Sequence, residues 1–343
     1  MTITLGIECT AHTLGIGIVE NGKVLSNIHD VYRPKNEGII PRKAADHHAE
    51  VFASVLKQNL DTAKLTMDEV DLIAFSQGPG IGAPLSVGIA GAKYLAAKFS
   101  KEIIGVNHPY AHVEISKHLT GLKNPIVLYL SGGNSQILIE EKQGYHVLGE
   151  TLDIGIGNLF DTFGRAIGLE YAHGSVLEQL AKQGKYVELP YTVKGMNLVF
   201  SGLLTQAEKL FKEGKTKEDP EERSSLGDRN QRLRDLTYSI METAFAMSCE
   251  ATERALFLTK KKELIICGGV AQNKRLQEML KMMCKEDKVK FGVAPDEFNR
   301  DNGAMIAYAG SVLYKKYGAM KLDNCKPITN YRIDMVSDVF GRG

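Results

Sequence analysis

The sequence lacks any large imbalance of charge. Its 343 residues include 42 Lys and Arg against 41 Asp and Glu, which gives a formal net charge of +1. Bulk charge therefore gives no sign of a nucleic acid or a membrane surface as a partner, although a local patch can bind either one. The composition, with 43% hydrophobic and 24% charged residues, is that of a folded globular chain and argues against intrinsic disorder.

Long apolar runs and cysteine pairs are also missing. No stretch approaches the roughly 20 apolar residues that span a bilayer, and the first residues lack the pattern of a signal peptide. The five cysteines are odd in number, scattered and never spaced as CxxC, which argues against a disulfide framework and against a structural zinc site. We therefore expect a cytoplasmic protein that has no membrane segment.

The order of predicted elements repeats along the chain. Strands are predicted at residues 3–8, 13–19 and 23–29, and again at 126–131, 136–140 and 145–150. Helical patterns and single buried strands follow each set. We predict a duplicated α/β fold with two lobes, residues 1–122 and 123–343. The mixed-charge residues 212–234 are predicted to form a solvated insertion, and the tail from residue 318 is weakly patterned.

Three glycine-rich turns, at residues 131–135, 155–158 and 268–273, each follow a strand or open a helix. Backbone N–H groups at such turns can hold a phosphate or another anion. None of the three matches the P-loop or the complete dinucleotide-binding pattern. One such turn alone is usually structural, but three in a duplicated chain favour a nucleotide-like ligand in a cleft between the lobes.

Two histidines, His108 and His112, are four residues apart and share one face of a predicted helix, so both imidazoles could bind one cation. In the alternative interpretation one histidine caps the helix and the other lies on the surface. Asp301 is the candidate third ligand, although it could simply cap the helix that follows it. Two histidines and one carboxylate leave coordination positions open and suit iron or another borderline divalent metal.

Two further carboxylates, Asp161 and Glu178, are candidates for binding the paired hydroxyls of a ribose. Asp161 lies one turn into the helix that follows the second glycine-rich turn. The alternative for Asp161 is an intrahelical ion pair with Arg165, four residues later.

Long motifs in a fixed order resemble one known family. They are residues 7–19 (IECTAHTLGIGIV), 40–48 (IPRKAADHH), 74–82 (AFSQGPGIG), 107–115 (NHPYAHVEI), 128–136 (LYLSGGNSQ), 150–158 (ETLDIGIGN), 193–205 (VKGMNLVFSGLLT), 268–273 (GGVAQN) and 300–308 (RDNGAMIAY). The sequence is similar to the tRNA N6-adenosine threonylcarbamoyltransferase family in its archaeal and eukaryotic form, the catalytic subunit of the KEOPS complex.

The resemblance implies a fold, a reaction and partners. The fold is the duplicated actin/hexokinase/Hsp70-like (ASKHA) type with an interlobe cleft. The reaction transfers the threonylcarbamoyl group from threonylcarbamoyl-adenylate to N6 of the adenosine next to the anticodon, in tRNAs that read ANN codons, and releases AMP. The implied partners are tRNA, a small kinase-like ATPase, a dimerising scaffold subunit and a subunit that binds the tRNA tail.

The resemblance also implies roles for individual residues. The metal ligands match His108, His112, Tyr129 and Asp301, with iron as the implied metal and zinc as the alternative. The adenylate contacts match Tyr129, Leu130, Ser131, Gly132, Gly133, Asp161, Gly174, Glu178 and Asn273, and no residue forms a covalent intermediate. The sequence departs from the family at Ala172-His173-Gly174-Ser175, where the family has Pro-Gly-Gly-Pro.

Three other functions compete with the transferase. A metalloprotease needs a carboxylate base beside a metal-bound water, but only Pro109, Tyr110 and Ala111 separate the two histidines. A small-molecule kinase or ATPase of the same fold needs Mg²⁺ held by carboxylates, which a histidine-ligated metal suits poorly. Loss of a candidate metal ligand would favour a non-catalytic scaffold, and all three ligands are present.

Overall fold

The computed structural model describes residues 2–33, 38–169, 174–213 and 226–341, which form two compact units. The first unit comprises Met1–Lys123, Glu141–His146 and Ala294–Gly343, and the second comprises Asn124–Glu140 and Val147–Val293. The sequence-based boundary assigns everything after residue 122 to one C-terminal lobe, and this is wrong for residues 141–146 and 294–343. The second of these segments belongs to the first unit because the last long helix packs on its sheet.

The strands and helices alternate along the chain. The strands are β1 (Ile3–Glu8), β2 (Thr13–Glu20), β3 (Lys23–Val31), β4 (Leu72–Gly78), β5 (Glu102–Asn107), β6 (Ile126–Leu130), β7 (Ser135–Glu141), β8 (Gly144–Glu150), β9 (Val193–Lys194), β10 (Asn197–Leu198), β11 (Glu263–Cys267) and β12 (Lys290–Val293). The helices are α1 (Pro41–Ala63), α2 (Gly82–Phe99), α3 (His108–Thr120), α4 (Ile156–Ala166), α5 (Gly174–Ala181), α6 (Ser201–Glu213), α7 (Leu226–Thr259), α8 (Lys274–Glu286), α9 (Asp296–Asn299), α10 (Gly303–Tyr317) and α11 (Val336–Gly341). Short 3₁₀ helices cover Met67–Glu69, Gly269–Gln272, Leu322–Asn324 and Ile333–Met335.

The first unit is built on a five-stranded mixed sheet with the order β3-β2-β1-β4-β5. β1 pairs with β2, and β2 with β3, in antiparallel register, whereas β1, β4 and β5 are parallel neighbours. The strands are apolar on both faces, as strands covered by helices are expected to be. α1 and α2 share a core with this sheet, and α10 packs against all five of its strands.

The second unit repeats this arrangement. Its sheet has the order β12-β11-β6-β7-β8, which corresponds strand for strand to the first sheet. β6 and β7 are antiparallel, whereas β6, β11 and β12 are parallel. The core of this unit contains side chains from β6, β7 and β11 together with α4, α6, α7 and α8. The predicted duplicated α/β fold is therefore confirmed.

The predicted polar insertion at residues 212–234 is wrong over part of its length. α6 extends to Glu213 and α7 begins at Leu226, so only residues 214–225 lie outside the described part of the chain. In the first turns of α7, Gln231 donates to the carbonyl of Gln183 and Asp235 accepts from the backbone N–H of Lys185, whereas Asn230 is exposed. Its polar, mixed-charge sequence therefore suits a helix with one face in solvent.

The weakly patterned tail is anchored to the first unit. Gln77, at the end of β4, donates its side-chain amide to the carbonyls of Asn324 and Lys326, at 3.2 and 3.0 Å. The Tyr331 side chain is 0% exposed. Among the described residues, no helix combines the length and the apolar character that crossing a membrane requires.

Candidate metal centre and glycine turns

The candidate ligands His108, His112 and Asp301 come together in the first unit. Asp301 Oδ1 lies 3.3 Å from His108 Nε2 and 3.2 Å from His112 Nε2. One nitrogen or oxygen atom from each of the three residues lies within 4.8 Å of the other two. Two side chains from the first third of the chain therefore meet a third that is almost 200 residues away in the sequence.

Helix α3 presents both histidines because another residue caps it. Asn107 Oδ1 accepts the backbone N–H of Tyr110 at 2.9 Å, so the cap is an asparagine and not His108. Pro109 suits the first turn, where no intrahelical N–H donor is needed. The two imidazole rings stand one turn apart with centroids 4.7 Å apart, and both are buried. The alternative of one capping and one surface histidine is therefore wrong.

Asp301 reaches the histidines from the residues that precede α10. Asn302 caps this helix, since its Oδ1 accepts the backbone N–H of Met305 at 2.9 Å. The alternative role of Asp301 as a plain cap is therefore wrong, and its carboxylate is directed to the histidines. Its side chain is 22% exposed, which leaves one side of the cluster open to solvent.

A fourth side chain, Glu8, was not singled out from the sequence. Its Oε2 lies 2.9 Å from His108 Nδ1, and its Oε1 accepts from the backbone N–H and the hydroxyl of Thr10, at 2.7 and 2.5 Å. Glu8 is 0% exposed, at the carboxyl end of β1. A carboxylate that ends an otherwise apolar buried strand needs a partner, and that was the available signal.

Electrostatics set the protonation of the cluster. Burial by itself lowers the pKa of His108, but the negative charges of Glu8 and Asp301 raise that pKa from 6.5 to about 10. Burial lowers the pKa of His112, and the positive charge of His108 lowers it further. Burial opposes ionisation of Asp301, but the charge of His108 holds the pKa of Asp301 well below 3.8. Without an ion, the cluster at neutral pH contains one imidazolium, one neutral imidazole and one carboxylate.

The donor set fits a divalent metal. Ligand atoms about 2.1 Å from one ion, at angles of roughly 90–110°, lie about 3.0–3.4 Å apart. Asp301 Oδ1 lies 3.2–3.3 Å from the two histidine nitrogens, which falls within that range. Two imidazoles and one carboxylate suit iron, zinc or another borderline ion and do not suit Mg²⁺ or Ca²⁺.

The three glycine-rich turns meet in the second unit. The turn of residues 131–134 follows β6, and the first turn of α4 lies against it: Gly157 and Asn158 donate backbone N–H groups to the carbonyls of Ser131 and Gly132, at 3.2 and 2.9 Å. A Cβ on Gly157 would come within 2.7 Å of Gly132 Cα, so glycine is required for this approach. The amides of Gly157 and Asn158 therefore support the first turn, and the amide of Ile156 donates to Ser135 Oγ at 2.9 Å, so these three are not available to an anion.

The third turn, which begins at Gly268, follows β11, the parallel neighbour of β6. A Cβ on Gly268 would overlap the carbonyl oxygen of Leu130, and its φ of +93° also favours glycine. The turns thus lie side by side at the carboxyl ends of two parallel strands, where α/β sheets commonly bind ligands. Gly132 and Gly133 are exposed there, and no described atom lies within 4 Å of a Cβ placed on Gly133.

The remaining predicted adenylate contacts also belong to the second unit. Tyr129 and Leu130 end β6 and are buried, and Asp161 is half-buried on α4. Glu178 on α5 accepts the backbone N–H of Lys274 at 3.3 Å, which places it beside Asn273. Gly174 opens α5, and residues 172 and 173 of the altered family motif lie outside the described part of the chain. The role of Tyr129 as a metal ligand stays a prediction.

Two duplicated sheets of this topology, with functional groups at the carboxyl ends of their parallel strands, define a protein of the ASKHA class. The fold resembles HypF from T. kodakarensis (TM-score 0.58, 15% identity, 92% of this chain and 48% of that chain). It also resembles the activator of the 2-hydroxyisocaproyl-CoA dehydratase from Clostridium difficile (TM-score 0.52, 10% identity, 92% and 96%). At these identities the likeness establishes the fold alone.

Relatives with much higher identity narrow the class to a family. The tRNA N6-adenosine threonylcarbamoyltransferase of Thermococcus kodakarensis is 49% identical over 339 residues, which cover 98% of this chain and 99% of the relative. A probable bifunctional tRNA threonylcarbamoyladenosine biosynthesis protein of Methanocaldococcus jannaschii is 48% identical, and the match covers 97% of this chain and 59% of that protein. The model of the tRNA N6-adenosine threonylcarbamoyltransferase family matches residues 23–308. The chain belongs to this family.

Membership confirms the family predicted from the motifs, the ASKHA fold and the assignment of the chain as an acyltransferase that modifies tRNA. It favours the transferase over the metalloprotease, kinase and scaffold alternatives.

Proposed function

We propose that this chain transfers the threonylcarbamoyl group from threonylcarbamoyl-adenylate to N6 of the adenosine next to the anticodon, in tRNAs that read ANN codons, with release of AMP. The observation that carries the proposal is the convergence of His108, His112 and Asp301 in a chain of this family. The N6–C bond forms while the bond from the carbamoyl carbon to the phosphate oxygen breaks. The amine loses one proton, and AMP leaves with the electron pair of the broken bond.

His108, His112 and Asp301 would hold one divalent ion, with iron proposed and zinc as the alternative. When bound, such an ion supplies Lewis acidity toward an acyl or phosphoryl oxygen. The carboxylate of Asp301 offsets the positive charge that the ion brings into the buried histidine pair. No side chain of the cluster is a nucleophile of the serine or cysteine type, in keeping with direct transfer.

The glycine turns would bind the adenylate. Gly132 and Gly133 expose backbone to a ligand, and Gly155 and Gly157 allow α4 to support the turn from behind. Tyr129, Leu130 and Ser131 lead the chain into this turn, and the pairing of β6 with β11 holds it in place.

The carboxylates of Asp161 and Glu178 would accept hydrogen bonds from ribose hydroxyls. Asn273 uses its side-chain oxygen to cap α8, where it accepts the backbone N–H of Leu276 at 3.0 Å. The amide NH₂ of Asn273 is therefore the group that would donate to the nucleotide. Gly174 would border the same contacts at the start of α5.

We further propose that the chain acts in the cytoplasm within the KEOPS complex, together with a small kinase-like ATPase, a dimerising scaffold subunit and a subunit that binds the tRNA tail. The match covers 59% of the bifunctional relative, in which a second activity is joined to the same chain. This supports the proposal that the present chain acts together with a partner protein.

The proposal is tested by reconstitution. The purified protein is supplied with tRNA, threonine, bicarbonate, ATP and the adenylate-forming enzyme, with and without the partner subunits, and the nucleosides are analysed by mass spectrometry. We expect N6-threonylcarbamoyladenosine from the native chain and none from the double variant His108→Ala, His112→Ala. The matched control is His118→Ala, His146→Ala, which removes two exposed histidines of the same unit. Equal product from both double variants would contradict the proposal.

A further inference from the structure

The hydrogen-bond partners of Glu8 fix the orientation of its carboxylate. Its Oε1 receives two donors from Thr10, the backbone N–H and the hydroxyl, and its Oε2 faces His108 Nδ1 at 2.9 Å. Thr10 Oγ1 also lies 3.5 Å from His108 Nδ1. Because Glu8 is 0% exposed, these protein groups take the place that water has around a surface carboxylate.

The contacts fix the hydrogen positions on His108. A carboxylate oxygen accepts hydrogen bonds, so the nitrogen that faces Glu8 at this distance must carry the hydrogen. In a neutral imidazole the other nitrogen then has the lone pair. For His108 that nitrogen is Nε2, which lies 3.3 Å from Asp301 in the candidate ligand cluster.

We propose that Glu8 is a positioning residue for the metal centre, which holds His108 as the Nδ1–H tautomer so that Nε2 is presented to the ion. The inference rests on the proposed metal site. Thr10 completes the arrangement, because its backbone N–H can only donate and therefore requires an acceptor on the Glu8 side chain. Carboxylates that orient a ligating histidine in this way commonly change metal affinity by 10–100-fold.

The variants Glu8→Gln and Glu8→Ala distinguish a purely structural role of Glu8 from a positioning role. The two roles predict opposite rankings of the loss that each variant causes. Glu8→Gln keeps the volume and removes a buried charge, so it would be the milder change if Glu8 only filled space. In the positioning role it is the harsher change. The backbone N–H of Thr10 requires the Gln oxygen, the Gln NH₂ then faces His108 Nδ1, and the hydrogen of His108 moves to Nε2. Glu8→Ala leaves Nδ1 without this constraint.

The experiment measures binding of Co²⁺ and Zn²⁺ to the full chain after metal removal, by visible absorption of the Co²⁺ form and by competition with a chelator. We expect affinity to fall roughly tenfold in Glu8→Ala and roughly 100-fold in Glu8→Gln. In Glu8→Gln, nitrogen-15 chemical shifts of His108 should show the ring hydrogen on Nε2. They are measured without metal, at a pH where this ring is neutral. Glu114→Gln is the matched control, since Glu114 is also a buried glutamate of the first unit and bonds Tyr145 and Lys117 instead. It should leave affinity within about twofold.

The outcomes separate this inference from the proposed function. If the native chain binds neither ion, the metal centre itself is wrong. If the native chain binds and Glu8→Gln binds equally well, or better than Glu8→Ala, the positioning role is wrong while the metal centre stands. Should Glu8→Ala fail to fold, judged by its circular dichroism melting curve, the isosteric Gln variant and its histidine spectrum still decide the question.

Discussion

Two asparagines cap the helices that present the candidate metal ligands. Asn107 caps α3 and Asn302 caps α10, each with its side-chain oxygen on a backbone N–H of the first turn. A capping residue immediately next to a ligand satisfies the helix end and leaves the neighbouring side chain free. The polar atoms of His108 and Asp301 are therefore not needed to cap the helices and can bind an ion.

The charge state of the cluster predicts proton release on metal binding. At pH 7.5 the raised pKa of His108 keeps it protonated, the lowered pKa of His112 keeps it neutral, and Asp301 is already ionised. An ion that binds His108 Nε2 must displace one proton, so the apparent affinity should rise about tenfold per pH unit from pH 6.5 to 8. Calorimetric titration with Zn²⁺ in buffers of different ionisation enthalpy should count close to one proton per ion. Release of no proton would show that His108 is neutral before the ion binds.

Some of these residues can be predicted from the sequence and others cannot, and the reason is physical. The spacing of His108 and His112 is local, so the geometry of a helix predicts their shared face. Their meeting with Asp301 can only be a hypothesis from the sequence, because nothing local links residues so far apart. Glu8 is 100 residues from His108 in the sequence. Its position at the end of an apolar strand indicated that it needed a partner and did not identify which one.

At the level of elements, glycines allow a helix to lie directly on a sheet. A Cβ on Gly6 of β1 would overlap the backbone nitrogen of Ala307, and a Cβ on Gly17 of β2 would overlap that of Ala304. α10 therefore lies with its backbone against β1 and β2. This close approach sets the position of Asp301, which comes two residues before the helix begins.

Gly17→Ala should move α10 outward and affect both stability and the metal site. We expect the free energy of unfolding to fall by about 2 kcal/mol, because an added methyl in a closely packed contact forces backbone shifts. Zn²⁺ affinity should also fall, since Asp301 moves with the start of the helix. Gly38→Ala is the control, as no described atom lies within 4 Å of a Cβ there. Denaturant unfolding and Zn²⁺ titration check both effects, and unchanged values in Gly17→Ala would contradict the packing argument.

The sequence predicts some helices and strands better than others. Apolar runs between glycine and asparagine turns are local signals, and they predict the ends of β1 to β3 and β6 to β8 to within two residues. The first turns of α7 carry no such signal, because their sequence is polar and of mixed charge and resembles that of a solvated loop. The support that the 155–158 turn gives to its neighbour was also not visible, since it depends on hydrogen bonds between separate segments.

At the level of the whole molecule, the duplication places chemistry at the same end of each sheet. In the first unit Glu8 ends β1 and His108 follows β5, and β1 is joined to β5 through parallel β4. In the second unit the turns at Ser131 and Gly268 follow β6 and β11, which are also parallel. Each copy therefore places candidate site groups at the carboxyl ends of its parallel strands, with imidazole and carboxylate in one copy and glycine backbone in the other.

The C-terminal tail completes the first unit and supports α3. Asn107, the cap of α3, donates its side-chain amide to the carbonyl of Tyr331 at 2.8 Å, and Ile328 donates its backbone N–H to the carbonyl of Gln77 at 2.8 Å. The sequence placed this tail in the other lobe because chain order is the only guide when a segment lacks pattern. The contacts show that it packs against the residues that end β4 and β5.

The variant Tyr331→Ala tests whether the C-terminal tail stabilises the first unit. Removing a side chain that is 0% exposed should lower the free energy of unfolding by roughly 3 kcal/mol, because it leaves a cavity beneath the tail. Amide hydrogen exchange should quicken in β4, β5 and the first turn of α3, and stay unchanged in β6 and β11. Tyr94→Ala, which removes a side chain 61% exposed in the same unit, should change stability by about 0.5 kcal/mol or less. Faster exchange in β6 and β11 instead would mean that the tail stabilises the second unit, as chain order alone suggests.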